Sequence, residues 1–187
     1  MSEKQKMIDG KIYNPNDKML VMDRIKAKNL CYAYNNLKPE LEEEKKNIIK
    51  SLLGKTGENF QIEPSFFCDY GYNVEIGENF YSNHNLVILD CTKVIFGKNT
   101  FIGPNCGFYT AEHPLDYQTR NKGQEFAKPI TIGDNVWIGG NVVVIGGVTI
   151  GNNVVIGAGS IVTKDIPDNS IAVGNPCKVI RKVWMIK

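Results

Sequence analysis

Aliphatic residues recur at every sixth position over residues 130–164. The main series is Ile132, Ile138, Val144, Ile150, Ile156 and Val162, and a second series precedes it by two residues, at Ile130, Val136, Val142, Val148 and Val154. Side chains two apart on an extended segment point to the same side, so both series can share one interior. A sustained period of six is typical of a solenoid.

Residues that favour turns stand between the aliphatic positions. They are Gly133, Gly139, Gly151 and Gly157, followed by Asp134, Asn135, Asn141, Asn152 and Asn153. These residue types tolerate positive φ, so each hexamer supplies one extended edge and one corner, and three edges close a triangular coil. Stacked coils bury their aliphatic corners in one column. The pattern predicts a parallel β-helix; the alternative is a β-sandwich with Gly-rich turns, in which strands recur at about 8–12 residues.

The N-terminal part of the chain lacks the repeat and predicts two helices. One helical pattern runs from Asp17 to Asn36, and a second helix is predicted to begin at Pro39 and to stop at Gly54. We expect this arm to pack across the first coils as a lid or as a cap on the open end of the sheets, and both roles can apply because a capping segment can also line a pocket. The predicted fold class is therefore all-β with a small α appendage.

The coils begin irregularly at Ile62, and the rhythm lapses over residues 110–129, which are polar and lack a strand pattern. We predict a loop extruded from the β-helix there. After the repeat, residues 169–173 predict a last strand, and the basic tail from Cys177 predicts a terminal strand or helix that closes the column. The predicted domains are an arm over 1–55 and a β-helix over 56–187.

Composition narrows the possible partners. The chain has 187 residues, of which 42% are hydrophobic, and a net charge of +2 without a basic block, so neither nucleic acid nor a membrane surface is expected as a partner. The five cysteines are scattered without a C-x-x-C pair, as in reduced cytosolic proteins. The charged N-terminus and the absence of a long apolar run predict a cytoplasmic location.

His84 and His113 are the two histidines of the chain. His113 lies in the predicted loop, before Pro114, which restricts its backbone, so it is a candidate general base. A histidine in a surface turn without a role is the alternative. Two histidines cannot form a three-histidine zinc site, so no metal is expected. The sequence also lacks a G-x-S-x-G elbow, a P-loop and a dinucleotide fingerprint.

Several sequence blocks together resemble the maltose and galactoside O-acetyltransferases. They are the hexapeptide column, DYGYN at 69–73, TAEHP at 110–114, NVWIGG at 135–140 and GAGSIVTKDIPDNSIAVGNPCKVIRK at 157–182. The resemblance extends over nearly the whole chain. It implies a left-handed parallel β-helix that forms a homotrimer, with active sites between neighbouring subunits.

The resemblance also implies a mechanism. His113 would be the general base that removes a proton from a sugar hydroxyl as the oxygen attacks the thioester of acetyl-CoA, without a covalent acyl-enzyme, and Asn83 would stabilise the transition state by hydrogen bonding. A hydroxyl needs such a base at neutral pH, and the developing oxyanion needs a donor. Glu125 would orient the imidazole or hold a sugar hydroxyl, unless it is an ordinary solvated loop charge.

The implied acceptor residues are Asp69, Tyr81 and Arg24, although core or surface roles stay open for the last two. At Cys91 the galactoside-type enzymes have an acid, and this difference favours a maltose or glucose acceptor. For acetyl-CoA, the matching positions are Gly140, Ala158, Thr163, Lys164, Lys178 and Arg181. The three basic side chains suit the phosphates of the donor.

Two other functions remain open at this point. The first is an acetyltransferase whose acceptor is an amine, such as an amino sugar. The second is a noncatalytic β-helix that serves as a scaffold or binding module.

Overall fold

The computed structural model describes residues 1–183. The four helices of this range are α1 (Glu3–Ile8), α2 (Lys18–Asn35), α3 (Glu42–Leu52) and α4 (Tyr117–Arg120). The strands before the extruded loop are β1 (Phe60–Ile62), β2 (Phe66–Cys68), β3 (Val74–Ile76), β4 (Phe80–Ser82), β5 (Leu86–Leu89), β6 (Val94–Phe96), β7 (Phe101–Ile102) and β8 (Gly107–Tyr109). The later strands are β9 (Ala111–Glu112), β10 (Phe126–Ala127), β11 (Ile130–Ile132), β12 (Trp137–Ile138), β13 (Val143–Ile145), β14 (Thr149–Ile150), β15 (Val155–Ile156), β16 (Ile161–Val162), β17 (Ser170–Val173) and β18 (Lys178–Lys182).

Three parallel sheets form the sides of a left-handed β-helix. The first sheet has the order β1, β4, β7, β12, β15, β17 and ends with β18, the second has β2, β5, β8, β13, β16, and the third has β3, β6, β11, β14. Equivalent positions stack in register: Tyr81 pairs with Phe101, and Phe101 pairs with Trp137. The fold class predicted from the period of six is therefore confirmed.

The interior of the column consists of the two predicted aliphatic series. All eleven of these side chains are at most 3% exposed. In the coils before the extruded loop, aromatic rings also fill the interior of the column. Phe96 contacts Phe80 and Phe108 edge to face, with ring centroids 5.2 and 4.9 Å apart. Edge-to-face contacts of this kind add to the stability gained by burial alone.

The corners use the predicted turn residues in two ways. Asn135, Asn141 and Asn153 adopt positive φ, between 54° and 59°, so they make the turn itself. Asp134 and Asn152 have other roles, because their side chains accept backbone N–H groups of adjacent coils: Asp134 Oδ1 accepts from Lys98 at 2.8 Å, and Asn152 Oδ1 accepts from Asp134 at 2.8 Å. The corner residues thus form hydrogen bonds between adjacent coils as well as turning the chain.

In the arm, α2 agrees with the prediction, and Asp17 caps its N-terminus by accepting from the backbone of Met19. The predicted start of the next helix at Pro39 is wrong, because α3 begins at Glu42. The acidic residues 42–44 occupy its first turn, where they interact favourably with the helix dipole. The division of the chain between residues 55 and 56 stays a prediction.

The second helix also covers the open end of the column. The side chain of Asn35 accepts from the backbone N–H of Phe66 at 2.8 Å and donates to its carbonyl at 2.9 Å. Phe66 belongs to β2, the edge strand of the second sheet, so this side chain replaces a missing neighbouring strand. The arm therefore acts as a cap at this edge.

Two details of the C-terminal half correct or complete the predictions. The segment 110–129 contains a short hairpin, in which β9 pairs antiparallel with β10, so the expectation that it lacks strands is wrong. The tail forms β18, antiparallel to β17, as one of the two predicted alternatives. The rest of the tail, residues 184–187, lies outside the described residues. Within residues 1–183, no helix has the length and apolar character needed to cross a bilayer.

Candidate active site

The candidate residues lie mainly along two edges of the second sheet. The Asn83 edge, where the first sheet turns into the second, comprises residues 83–85, 103–105, 139–141, 157–159 and 174–176. The His113 edge, where the second sheet turns into the third, comprises residues 69–73, 90–93, 110–129, 146–147 and 163–165. The width of the second sheet separates these edges, so one chain does not bring Asn83 and His113 together.

On the Asn83 edge, three predicted site residues follow one another from coil to coil. Asn83, Gly140 and Ala158 each follow a strand of the first sheet, and Gly159 donates to the carbonyl of Gly140 at 2.9 Å. A Cβ atom on Gly139 would approach the backbone nitrogen of Ala158 to 2.6 Å, so only glycine allows the coils to stack this closely. Because these positions carry small side chains or none, the backbone polar groups of this edge lie near its surface.

The amide of Asn83 has one hydrogen bond. Its Oδ1 accepts the backbone N–H of His84 at 2.7 Å, and within residues 1–183 its Nδ2 has no hydrogen-bond partner. Because the oxygen is the only atom of the amide that accepts, this contact fixes the orientation of the group. The NH₂ group can therefore donate to a ligand.

On the His113 edge, the hairpin carries an exposed imidazole. Nδ1 of His113 lies 3.3 Å from the carbonyl oxygen of Gln124. A carbonyl only accepts, so the proton of the neutral imidazole is on Nδ1 and the lone pair is on Nε2. Among the described residues, Nε2 has no partner, which leaves it able to accept a proton.

Three other predicted residues are grouped beside this hairpin. Arg24 of α2 donates to the hydroxyl of Tyr70 and to the carbonyl of Pro15, each at 2.6 Å. Burial raises the pKa of the Asp69 carboxyl; the charge of Arg24 opposes this rise, and the charge of Glu125 adds to it. Asp69, Arg24 and Glu125 are therefore close enough to interact electrostatically.

The floor of this group consists of neutral side chains. The thiol of Cys91 lies 3.9 Å from Oδ2 of Asp69, and burial raises the pKa of the thiol to about 12, so it stays protonated. The hydroxyl of Tyr13 donates to Oε2 of Glu125 at 2.6 Å. We call this set the acceptor cluster; its members are Tyr13, Arg24, Asp69, Tyr70, Cys91 and Glu125.

Asp90 supports the acceptor cluster from below, although no sequence motif points to it. Its Oδ1 accepts the backbone N–H groups of Asp69 and Tyr70, at 3.0 and 2.8 Å, and its carbonyl accepts from the side chain of Asn73 at 2.7 Å. Its Oδ2 is buried, and none of residues 1–183 supplies a hydrogen-bond partner for it. Burial raises the pKa of the Asp90 carboxyl to about 7, and the backbone N–H of Tyr70 opposes the rise.

The remaining predicted residues lie away from the acceptor cluster. Tyr81 is on the outer surface of the first sheet, beside Phe101, which is 51% exposed and is followed on the next strand by Trp137, which is 59% exposed. Thr163 and Lys164 are exposed on the His113 edge, whereas Lys178 and Arg181 are exposed on β18, at the end of the first sheet. The donor positions are thus divided between surfaces that face different directions on one chain.

No group of three His, Cys, Asp or Glu side chains within residues 1–183 is arranged to hold a metal ion.

The chain is similar to known acetyltransferases along its whole length. Residues 6–57 match the maltose acetyltransferase hexapeptide capping motif, and residues 129–164 match the bacterial transferase hexapeptide repeat. A Saccharomyces cerevisiae protein with the provisional name of acetyltransferase is 54% identical over 96% of this chain and 92% of its own length.

Two solved structures are similar in both sequence and fold. A maltose O-acetyltransferase from Clostridium difficile 630 is 49% identical, with a TM-score of 0.98 over 99% of each chain. A galactoside acetyltransferase in complex with coenzyme A is 43% identical, with a TM-score of 0.95 over 98% of this chain and 92% of that one. This chain therefore belongs to the maltose and galactoside O-acetyltransferase family of hexapeptide-repeat acyltransferases.

Proposed function

We propose that the protein transfers the acetyl group of acetyl-CoA to a hydroxyl of a small sugar of the maltose or glucose type, with His113 as general base. The observation that carries the proposal is the position of the acceptor cluster beside the hairpin of His113. Carboxylate and guanidinium groups in one partly buried site are suited to hold several hydroxyls at once, because each hydroxyl both donates and accepts.

The site needs residues from two copies of the chain, and we propose that these copies belong to a homotrimer. Asn83 and His113 lie on different edges of the second sheet, so the two edges can face each other only across an interface between subunits. Exposed apolar residues on the first sheet and at the loop tip support such an interface, since Leu115 is 96% exposed and Trp137 is 59% exposed. Head-to-tail contacts of one kind close into a ring when the rotation allows it.

In this arrangement the acetyl donor lies in the groove between the Asn83 edge of one copy and the His113 edge of the next. The smooth backbone at Gly140 and Ala158 suits the pantetheine arm, whose amides can bond to backbone groups. Lys164 of the facing edge, together with Lys178 and Arg181, supplies positive charge for the phosphates. The relative that was crystallised with coenzyme A supports this choice of donor.

The chemistry is then a direct transfer. Nε2 of His113 removes the hydroxyl proton as the acceptor oxygen attacks the thioester carbonyl. The NH₂ group of Asn83 from the adjacent copy donates to the oxygen that becomes negative, and collapse of this intermediate breaks the C–S bond and releases CoA thiolate, which takes up the proton from His113. A positioned base and an oxyanion donor each contribute roughly 10²-fold or more to the rate.

The test is the release of CoA thiol from acetyl-CoA in the presence of maltose, glucose, a galactoside and an amino sugar. We expect release with maltose or glucose, and a loss of about 10²-fold or more in His113→Ala. Gln118→Ala, an exposed position on the same loop, is the matched control. Equal rates for the parent and His113→Ala would exclude His113 as the base.

The product distinguishes the competing functions. An ester is cleaved by mild alkali, whereas an amide resists it, so a resistant product would favour the amine acceptor. No release of CoA with any acceptor, together with no binding of acetyl-CoA, would favour the noncatalytic β-helix.

A further inference from the structure

The N-terminal arm is hydrogen-bonded to the base of the loop that carries His113. Tyr13 and Glu125 exchange two backbone hydrogen bonds, with Tyr13 N to Glu125 O at 2.9 Å and Glu125 N to Tyr13 O at 3.1 Å. The Tyr13 hydroxyl adds a third contact to the Glu125 carboxylate at 2.6 Å. One residue of the arm therefore holds both the main chain and the side chain of one residue of the loop.

A separate small core makes this junction rigid. Met7, Tyr13, Leu20, Tyr70, Cys91 and Ala127 form a buried cluster distinct from the column. Tyr13 is only 1% exposed, although its hydroxyl is polar. Burial raises the pKa of this phenol well above its ordinary value, so the hydroxyl keeps its proton and remains a donor. Because the ring is packed among these buried side chains, its hydroxyl has a defined position, and so does the Glu125 carboxylate that accepts from it.

The hydrogen bonds of His113 and Glu125 indicate that Glu125 does not orient the imidazole. The imidazole is already oriented by the carbonyl of Gln124, through Nδ1, so it has no need of the Glu125 carboxylate. Tyr13 occupies Oε2 of Glu125, and within residues 1–183 Oε1 has no hydrogen-bond partner. A half-buried carboxylate beside Asp69 and Arg24, with one oxygen fixed and one oxygen free, is suited to accept a hydroxyl of the acceptor.

We propose that Tyr13 is a positioning residue for the acceptor site: its hydroxyl fixes the Glu125 carboxylate so that the second oxygen binds an acceptor hydroxyl. This inference rests on the proposed function and assigns Glu125 to the acceptor instead of to the imidazole. Without the Tyr13 hydroxyl, the carboxylate can rotate away from Asp69, since like charges repel, and the acceptor loses one contact.

Tyr13→Phe removes the hydroxyl and keeps the ring. We expect the KM for the sugar to rise roughly tenfold, as for the loss of a hydrogen bond to a charged group, with the KM for acetyl-CoA unchanged. Tyr117→Phe, an exposed tyrosine of the same loop, is the matched control. The double variant Tyr13→Phe/Glu125→Ala should be no worse than Glu125→Ala alone, because the hydroxyl then has nothing to hold.

Multiplying effects in the double variant, or an equal rise in the KM for acetyl-CoA, would overturn the inference, since both indicate a general structural role. If Tyr13→Phe does not fold, Glu125→Gln serves instead: an unchanged sugar KM in that variant would also overturn it. A parent that is active with sugars but insensitive to both changes contradicts only this inference, whereas a parent without sugar acetylation overturns the proposed function and this inference together.

Discussion

The buried carboxyl of Asp90 predicts an unusual dependence of stability on pH. Its pKa is raised to about 7 in the folded protein, chiefly by burial, from an ordinary value of 3.8. The native state therefore binds the proton more tightly than the unfolded state does. Stability from this group is fully present below the unfolded pKa and is lost as the pH rises through the folded one.

Asp90→Asn isolates this contribution. The amide oxygen can still accept from the backbone of Asp69 and Tyr70, and the side chain no longer titrates. Between pH 5 and the folded pKa, two pKa units correspond to about 3 kcal/mol, so the parent should lose about 3 kcal/mol of unfolding free energy relative to the variant between pH 5 and pH 8. The buried NH₂ adds a constant penalty of about 1–3 kcal/mol at every pH, which does not alter this difference.

Urea unfolding followed by circular dichroism, at a fixed protomer concentration, measures both proteins at pH 5, 6, 7 and 8. Other titrating groups are common to the two proteins, so the difference reports mainly on Asp90. Parallel curves would refute the reasoning, because they would mean that Asp90 titrates alike in the folded and unfolded states. A difference of the opposite sign would mean that the carboxylate is stabilised by its surroundings in the charged form.

Three further predictions concern the column, the donor and the corner. Phe96→Ala should lower the unfolding free energy by about 3–5 kcal/mol, since it removes a buried ring between two others; urea unfolding checks this, and a loss below about 1 kcal/mol would contradict it. Acetyl-CoA at 100 times the Kd of the parent should stabilise the folded parent by about 2.7 kcal/mol, seen as a rise in Tm, and the rise should be smaller in Lys164→Ala at the same concentration; no rise at any concentration would contradict donor binding. Gly139→Val should lower Tm far more than Ala158→Val, because a side chain at 139 meets backbone at 2.6 Å whereas position 158 is exposed; equal losses would contradict the close stacking.

The column could be predicted from the sequence because its interactions repeat along the chain. A period of six places both aliphatic series, from Ile130 to Val162, on one interior, whatever the rest of the protein does. Each coil packs on a neighbour of nearly the same sequence, so the local pattern and the long-range contacts agree.

The arm and loop could not be predicted as fully. Helix α1 has six residues, and the sequence signal for it, the capping pair Ser2 and Gln5, is weak. The hairpin of β9 and β10 has two residues per strand, and it is hydrogen-bonded at its base to Tyr13, more than a hundred residues away in the chain. Contacts of this kind leave no periodic signal.

The candidate site was predictable as a set of residue types but not as an arrangement. The resemblance implies roles for His113, Asn83 and the acceptor residues, whereas the position of Asn83 and His113 on different edges of the second sheet follows only from the coordinates. Asp90 and Tyr13 were missed because each acts through a neighbour, and a buried polar residue in the sequence does not reveal its partner.

The central claim is that Asn83 and His113 act together across an interface between two copies. Mixing His113→Ala and Asn83→Ala chains, each inactive alone, tests it by measuring acetyl transfer after the subunits are unfolded and reassembled in equal amounts. Random assembly into trimers gives each site about a one-in-four chance of pairing an intact His113 with an intact Asn83 from the next chain, so about a quarter of the parent activity should return. If the mixture stays inactive after reassembly while reassembled parent chains recover full activity, the two residues do not act across an interface, and the account is wrong.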